Sequence, residues 1–253
     1  MTGQSLAAAL GVWLTMSSVA GAGAGDAVDR MSRVMPLAAR MPIRVDATIA
    51  DVTITESNRP DVQITIERHA PTAEGLTKFP VTVDEGTDGL HVSVLQVGDG
   101  RDPALKSTIS IAAPAGAQLD AVRVFEGRVR LENVRTSCDV DLRRGAIEAA
   151  ELAGRIRLEV GIGSLDVRDS ELTAGGMMRL RVFNGPLRVR FPHPPADARI
   201  LALTLNGSIK SDIPLAMKDR IGPRFGESTL GSGDPVVSLD VVKGDISVVV
   251  DKR

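Results

Sequence analysis

The chain has 253 residues, of which 43% are hydrophobic and 25% are charged, and its formal net charge is −2. This composition is typical of a folded globular protein and excludes a mostly disordered chain. The near-neutral charge excludes a general electrostatic attraction to nucleic acid or anionic lipid. Only 2% of the residues are aromatic and none is Tyr. Because single-strand nucleic-acid binders stack bases on aromatic rings, we expect no nucleic-acid partner.

The N-terminus has the features of an export signal. An apolar run at 6–20 leads into two small-residue cleavage sites of the form A-x-A, at 20–22 and 22–24. The preceding MTGQS lacks Lys and Arg, and an uncleaved membrane anchor is the alternative. We expect a signal peptide at 1–24 and an exported protein: periplasmic, at the cell surface or secreted. No later stretch approaches the length of a membrane span, so none is expected after cleavage.

The spacing of apolar residues changes between the next two segments. Residues 25–41 are predicted to be a linker, with a short amphipathic turn of helix that ends at Pro36. From Ile43 onward apolar and polar residues alternate, which is typical of half-buried strands with surface turns between them. A smaller β-strand region is therefore expected at about 42–112, with antiparallel pairing at first.

The chain becomes repetitive after residues 114–116. From Gly127 it divides into five blocks of nine residues: GRVRLENVR, TSCDVDLRR, GAIEAAELA, GRIRLEVGI and GSLDVRDSE. Glycine opens four of them, and the third and fifth positions are apolar in all five. A strand of about five residues and a turn fill nine positions, and glycine suits a turn that needs a positive φ. Looser copies follow as FNGPLRVRF, LNGSIKSDI and VKGDISVVV.

This repeat predicts a register. A nine-residue unit cannot bury its apolar face alone, so neighbouring units must stack. With two blocks per coil, residues eighteen apart lie above one another, which places Val129, Ile147 and Leu165 in one inward column. The same register predicts a second inward column and outward charge ladders: Cys138–Ile156, Arg130–Glu148–Asp166 and Asp139–Arg157.

The predicted fold is all-β, with one β-repeat domain at 42–253. It comprises the N-terminal strands at 42–112 and, at 113–253, a parallel β-solenoid-like stack of short strands that covers about 113–250. An antiparallel β-sandwich is the alternative, because a meander of hairpins also produces regular glycine spacing.

The residues that most often carry chemistry are scattered or solitary. The blocks resemble the calcium β-roll repeat only in length, because they lack its clustered glycines and its fixed aspartate. Cys138 occupies an inward position with no histidine nearby in sequence, so we expect it in the core. His69, His91 and His193 have no metal-ligand spacing. We therefore predict no catalytic residue, no cofactor and no metal.

One basic cluster is a candidate anion site. Arg179, Arg181, Arg188 and Arg190 alternate with apolar residues, so they are expected to project outward from two neighbouring strands. Such a patch could bind a phosphate or a sulfate. In the alternative, their aliphatic stems cover the sheet and their charges are solvated.

Two segments resemble a known family. APAGA at 113–117, followed by VRVFEGRVRLENV, resembles the turn and first repeat of the bacterial putative-adhesin family, β-strand-repeat proteins of unknown function. SDIP at 211–214 and TLGSGDPVVSLDVVKGDISV at 229–248 resemble that family's closing segment. The resemblance covers roughly 42–250, although FEG, RRG, VFNG and TLNG replace the S-G-D of its interior copies. It implies an exported β-solenoid-like domain, usually without catalytic residues, and it implies no ligand.

The expected function is that of a non-enzymatic binding or structural module of the cell envelope or the medium, adhesin-like, with an unknown protein or cell-surface partner. The extended faces of a β-solenoid suit broad contact with such a partner. One alternative is a polysaccharide-processing β-helix enzyme, which would need unpaired carboxylates that converge in a groove. The other alternative is a component of envelope-stress signalling.

Overall fold

Strands make up most of the described chain. The computed structural model describes residues 15–17, 26–37, 40–98, 100–218 and 222–251. The strands are β1 (Thr15–Ser17), β2 (Ala27–Pro36), β3 (Pro42–Ser57), β4 (Asp61–Ala70), β5 (Val81–Gly86), β6 (Gly89–Val94), β7 (Lys106–Pro114), β8 (Gln118–Glu132), β9 (Cys138–Ala150), β10 (Arg155–Arg168), β11 (Met177–Asn184), β12 (Leu187–Phe191), β13 (Ala198–Asn206), β14 (Ile209–Ser211), β15 (Ala216–Lys218), β16 (Arg224–Leu230), β17 (Val236–Lys243) and β18 (Ile246–Val250). One short helix, α1 (Ala73–Thr77), accompanies them in these ranges, where no helix has the length and apolar character to cross a membrane. The signal peptide predicted at 1–24 lies outside the described residues, apart from β1.

The strands join one open, mixed sheet, so the predicted all-β class is confirmed. The sheet has two arms. In the first arm the strands follow the order β5, β6, β3, β8, β9, β10, β11, β17, β13, β16 and β15, and in the second arm the order β2, β4, β7, β3, β8, β9, β10, β12, β18 and β14. The four longest strands, β3, β8, β9 and β10, run through both arms. Inward side chains of both arms form one hydrophobic core.

A ladder of glycines marks the line where the arms meet. Gly145 has a φ of 134°, and a Cβ built on it would lie 1.8 Å from the carbonyl oxygen of Gly127. The same approach recurs at the next rung, where a Cβ on Gly163 would lie 1.7 Å from the oxygen of Gly145. The ladder continues through the later rungs, at Gly185, Gly244 and Gly207. Only glycine fits, because any side chain would collide with the backbone of the adjacent rung.

The eighteen-residue register is confirmed between β8 and β10. β9 is parallel to both neighbours, and Ile147 lies level with Val129 on one side and with Leu165 on the other. Cys138 lies level with Ile156 in the first arm. All five side chains are at most 3% exposed, so both predicted columns point into the core.

Within the parallel stack predicted at about 113–250, the strands beyond β12 do not follow one another in sequence order. β17 lies between β11 and β13 and is parallel to both, while β18 lies between β12 and β14. β16 then runs antiparallel to β13, and the three-residue β15 ends the first arm. The insertion gives β17 a hydrogen-bonded partner along each edge, so no long parallel edge is left open at this end of the sheet.

The N-terminal part also differs from expectation. The predicted helical turn at 28–41 is wrong, because β2 is a ten-residue strand that pairs antiparallel with β4 inside the predicted linker. Its partner β4 pairs antiparallel with β7, and β5 with β6. β3, however, is parallel to β6, β7 and β8, so the parallel stacking begins before residue 113. The spacing of Met31, Val34 and Met35 is also compatible with a helix, and pairing with β4 decides the conformation.

Candidate binding surface

Most of the outer face of the first arm is charged. Outward positions on successive rungs lie level with one another, as Arg123, Asp141 and Glu159 do on β8, β9 and β10. Asp139 and Arg157 form an ion pair of 3.2 Å in the neighbouring column, as predicted. A face of this kind is well solvated and needs no partner.

The outer face becomes apolar at β13. Ile200, Ala202 and Thr204 are fully buried on its inner side. The alternate residues of the strand therefore point outward: after Arg199 they are three leucines, Leu201, Leu203 and Leu205. A strand that is apolar on both sides is typical of a sheet covered on both faces, yet Leu205 remains 46% exposed.

Three neighbouring side chains extend this surface. Phe183 of β11 and Leu205 both lie level with Val242 of β17, because the residues on either side are paired. Phe225 of β16 lies directly opposite Leu203. Phe183 is 46% exposed, and the other two are half-buried. We call the set of six the leucine face: Phe183, Leu201, Leu203, Leu205, Phe225 and Val242.

Cationic side chains lie over the aromatic members. The guanidinium of Arg181 is 4.9 Å from the centre of the Phe183 ring, and the ammonium of Lys218 is 5.0 Å from that of Phe225. Each contact is worth about 0.5–1 kcal/mol at an exposed site. The charged groups stay in water while their stems cover part of each ring.

The charged rim of the leucine face is mainly basic. Among the described residues its acids are Glu159, Asp240 and Glu227, and its cations are Arg179, Arg181, Arg199, Lys218 and Lys243. Glu227 accepts a hydrogen bond of 2.7 Å from Arg199 and lies 3.6 Å from Lys218. The bond from Arg199 holds the pKa of Glu227 below its usual value, so this carboxylate is ionised at neutral pH.

The structure separates the four arginines of the predicted anion patch into two pairs. Arg179 and Arg181 lie on β11 in the first arm, and Arg188 and Arg190 lie on β12 in the second. Within the described sheet β11 and β12 do not pair with each other. Instead they lie beside different halves of β10, on either side of Gly185. The first pair forms part of the leucine-face rim, while Arg190 lies 3.8 Å from Asp251.

The place to look for the groove of a β-helix enzyme is a cavity on the second arm. A cavity of about 370 Å³ lies over Glu148, Ser164, Asp166 and Arg168. Glu148 is bonded to Arg130 at 2.8 Å, which confirms this pair of the predicted ladder. This bond lowers the pKa of Glu148. A glycosidase acid must instead stay protonated until it reacts, so Glu148 is poorly suited to that role.

Cys138 is buried, and two of the three histidines, His69 and His91, pair with carboxylates. Cys138 is 3% exposed, and burial raises the pKa of its thiol to about 12. It is therefore a neutral thiol in the core, as predicted, whereas a nucleophile would need the thiolate. His69 and His91 pair with Glu67 at 2.7 Å and with Asp46 at 2.8 Å. Across the described ranges, no three His, Cys, Asp or Glu side chains are placed to share a metal ion.

The chain has no matching family model and no matching curated protein, but solved structures are similar to it. A putative cell adhesion protein from Clostridium sporogenes is 8% identical, with a TM-score of 0.49; the match covers 88% of this chain and 100% of that one. A putative adhesin from Bacteroides fragilis is 16% identical over 88% and 97% of the chains, with a TM-score of 0.40. One from Parabacteroides distasonis is 12% identical over 88% and 97%, with a TM-score of 0.25. Their names match the description of the family that the sequence resembles.

Sequence reasoning missed the leucine face, although the sequence contains a signal for it. The run Ile200–Leu205 breaks the alternation of apolar and charged residues that every block from Gly127 follows. A run apolar at successive positions predicts a strand covered on both faces. Phe183, Phe225 and Val242 had no such signal, because their proximity depends on the insertion of β17 and the return of β16.

Proposed function

We propose that this protein is an exported, non-enzymatic, adhesin-like binding module that contacts its partner through the leucine face. The two-armed rungs act as a β-solenoid-like scaffold, with the partner-binding side chains on its outer surface. The observation that carries the proposal is the change from charged to apolar side chains on one continuous outer face.

The clustering of the leucine face favours binding over simple tolerance of apolar residues. Single exposed apolar side chains are common and need no explanation, whereas apolar side chains grouped on one surface and rimmed by charged residues mark interaction sites. The six positions of the leucine face lie on four adjacent strands, and at about 4.8 Å by 6.7 Å per position they cover about 190 Å². The leucine face also holds two of the five phenylalanines of a chain that has no tyrosine.

Export is supported by the apolar run at 6–20 and the two small-residue sites that follow it. We expect N-terminal sequencing of material recovered from outside the cytoplasm to begin near Gly23 or Gly25. Protein that is confined to the cytoplasm and retains Met1 would contradict export.

The binding role is tested by removing exposed apolar surface. Purified wild-type protein and a Phe183→Ser/Leu205→Ser variant are compared for retention on isolated cell envelopes and on immobilised extracellular-matrix protein. Retention should fall at least about tenfold, because loss of two central apolar anchors costs more than about 1.4 kcal/mol of binding. Both positions are half exposed, so the fold should survive.

A matched control variant is available at the far end of the described sheet. Leu95 and Val97 are 45% and 66% exposed, and a Leu95→Ser/Val97→Ser variant loses similar apolar surface away from the leucine face. We expect it to bind as the wild type does. Equal loss in both variants would show nonspecific hydrophobic adsorption, and loss in neither would rule out the leucine face.

The enzyme alternative makes a separate prediction at the groove of the second arm. If the protein cleaves polysaccharide, it should release reducing ends, and Glu148→Gln should abolish that release. We expect no release from either protein. Cleavage that depends on Glu148 would replace the proposed function.

A further inference from the structure

We infer that the leucine face binds an acidic polypeptide segment that carries aliphatic or aromatic side chains. This inference rests on the proposed function and names the class of partner. It is argued from the charge of the rim, the area of the face and the depth of its side chains.

The rim of the leucine face has the opposite charge to the rest of the chain. Five cations against three acids leave an excess of two positive charges among the described rim residues, whereas the whole chain carries a formal charge of −2. The remainder therefore carries −4. Two copies that met through this face would bring like charges together, which disfavours a symmetric dimer. An acidic partner is attracted instead, and Arg179 and Arg181 lie side by side at one border to receive carboxylates.

The area of the face suits a segment better than a second folded protein. A standard interface buries about 800 Å² per partner, and the leucine face offers about 190 Å² of apolar surface. An extended segment of five to seven residues spans about 17–24 Å, which matches the four-strand width from β11 to β16. Its alternate side chains could then contact Phe183, Leu205 and Phe225 in turn.

The shallow position of the apolar side chains argues against a lipid partner. Phe183 and Leu205 are 46% exposed, and the other four members are half-buried in the sheet surface. Peripheral membrane segments bury an apolar face about 5–10 Å into the headgroup boundary. Side chains that lie along a sheet between charged neighbours do not project far enough to do this.

A random library of 12-residue peptides displayed on phage provides the probe. Selection uses immobilised wild-type protein with excess soluble Phe183→Ser/Leu205→Ser variant as competitor, so that only binders of the leucine face are enriched. The enriched peptides should carry net negative charge together with Leu, Ile, Val or Phe.

One enriched peptide is then synthesised and titrated. Its dissociation constant should rise at least about tenfold for the Phe183→Ser/Leu205→Ser variant and about threefold to tenfold for Arg179→Gln/Arg181→Gln. Arg123→Gln, which removes a cation from the same arm at β8, should leave the constant unchanged. The affinity should also fall as salt increases.

Each other result overturns the inference. Enrichment of neutral or basic peptides, or of none, would exclude an acidic segment. Vesicles of phosphatidylglycerol that bind wild-type protein but not the serine variant would identify a membrane partner, and sedimentation of a dimer that the variant loses would identify a second copy. If envelope retention still depends on the leucine face, the proposed function survives this failure. If envelope retention is also unchanged in the Phe183→Ser/Leu205→Ser variant, both the inference and the proposed function fail.

Discussion

Strands β8 to β10 and strands β11 to β18 have the same rung geometry. The two regions differ in the sequence separation between strands that are neighbours in the sheet. In the first region each rung follows its neighbour after eighteen residues, as Cys138 and Ile156 show. In the second region Met177 lies level with Val236, 59 residues later, and Val236 lies level with Arg199, 37 residues earlier. Both regions keep a corner glycine and inward alternation. The geometry of a rung is therefore a local property of its sequence, whereas the order of rungs is not.

The connecting segments differ between the two regions. Between β8, β9 and β10 the returning turns begin with residues that have a positive φ, Asn133 and Glu151. Each turn bonds to the next rung, as when the amide of Asn133 donates to the carbonyl of Ala150 at 3.1 Å. After Phe191 the segment 192–197 contains three prolines and follows no block pattern, and the strand that follows it, β13, is separated from β11 by the inserted β17.

The largest expected effect comes from breaking the glycine ladder that both regions share. Gly145→Ala places a Cβ 1.8 Å from the oxygen of Gly127 at a φ of 134°. The variant should lose more than about 4 kcal/mol of unfolding free energy, or fail to fold. The matched control is Gly175→Ala, where φ is 70° but no atom lies within 4 Å of the new Cβ. It should cost only about 1 kcal/mol. Denaturant titration measures both, and equal losses would show that conformation alone, not contact between rungs, requires glycine.

A second comparison sets an inward leucine from each region against an outward one. Leu158 of β10 and Leu239 of β17 are both fully buried, so truncation of either to Ala should cost about 2–5 kcal/mol. Truncation of the half-buried, outward-facing Leu203 to Ala should lower the unfolding free energy by about 1 kcal/mol or less. If Leu239→Ala were as mild as Leu203→Ala in urea titrations, the inserted rung would not be part of the common core.

Substitution of Cys138 tests the packing of strands β8 to β10, which follow one another in sequence. Cys138→Ser should cost about 1–3 kcal/mol, because it buries a hydroxyl without an assured partner. Binding should be unaffected. Rapid reaction of the native thiol with a polar reagent at pH 8 would contradict its burial.

The same thiol predicts a dependence of stability on pH. Burial raises its folded pKa from 9.0 to about 12, so between these values the unfolded state releases the proton while the native state keeps it. Stability should be unaffected by this group below pH 9 and should fall above it, by up to about 1.4 kcal/mol per pH unit. Cys138→Ala should lack this fall. Parallel alkaline titrations of the two proteins would test the difference.

The smallest expected effect concerns the outward ladders. Glu148→Gln removes the partner of Arg130 at an exposed position, and unfolding free energy should change by well under about 1 kcal/mol. The pKa of Glu148 is lowered in the folded state, so its contribution is present above the unfolded pKa and is lost as pH falls through the folded one. Wild type and variant should therefore converge in acid. A difference that grew on acidification would contradict the pairing.

The parts of the fold that could be predicted from sequence are those with short-range causes. Glycine spacing and alternation placed Val129, Ile147 and Leu165 in one column, because a constant eighteen-residue step leaves only one register that keeps every apolar side chain inside. β2 was missed because Met31 and Met35 are also compatible with a helical stripe, and pairing with β4 decided the matter. The arginines of the anion patch were assigned to one surface because the sequence does not show that Gly185 divides their strand between two arms.

Most of the candidate site could not be predicted from local sequence patterns. By itself the sequence determined that β13 is apolar on both sides, because alternation fails at Leu201, Leu203 and Leu205. Only the tertiary structure decided that Phe183 and Phe225 join them, since the residues that meet at the face come from strands up to 59 positions apart in register. Side-chain periodicity follows from the pleat of one strand, whereas the choice of neighbouring strand depends on the burial and edge pairing of the whole sheet.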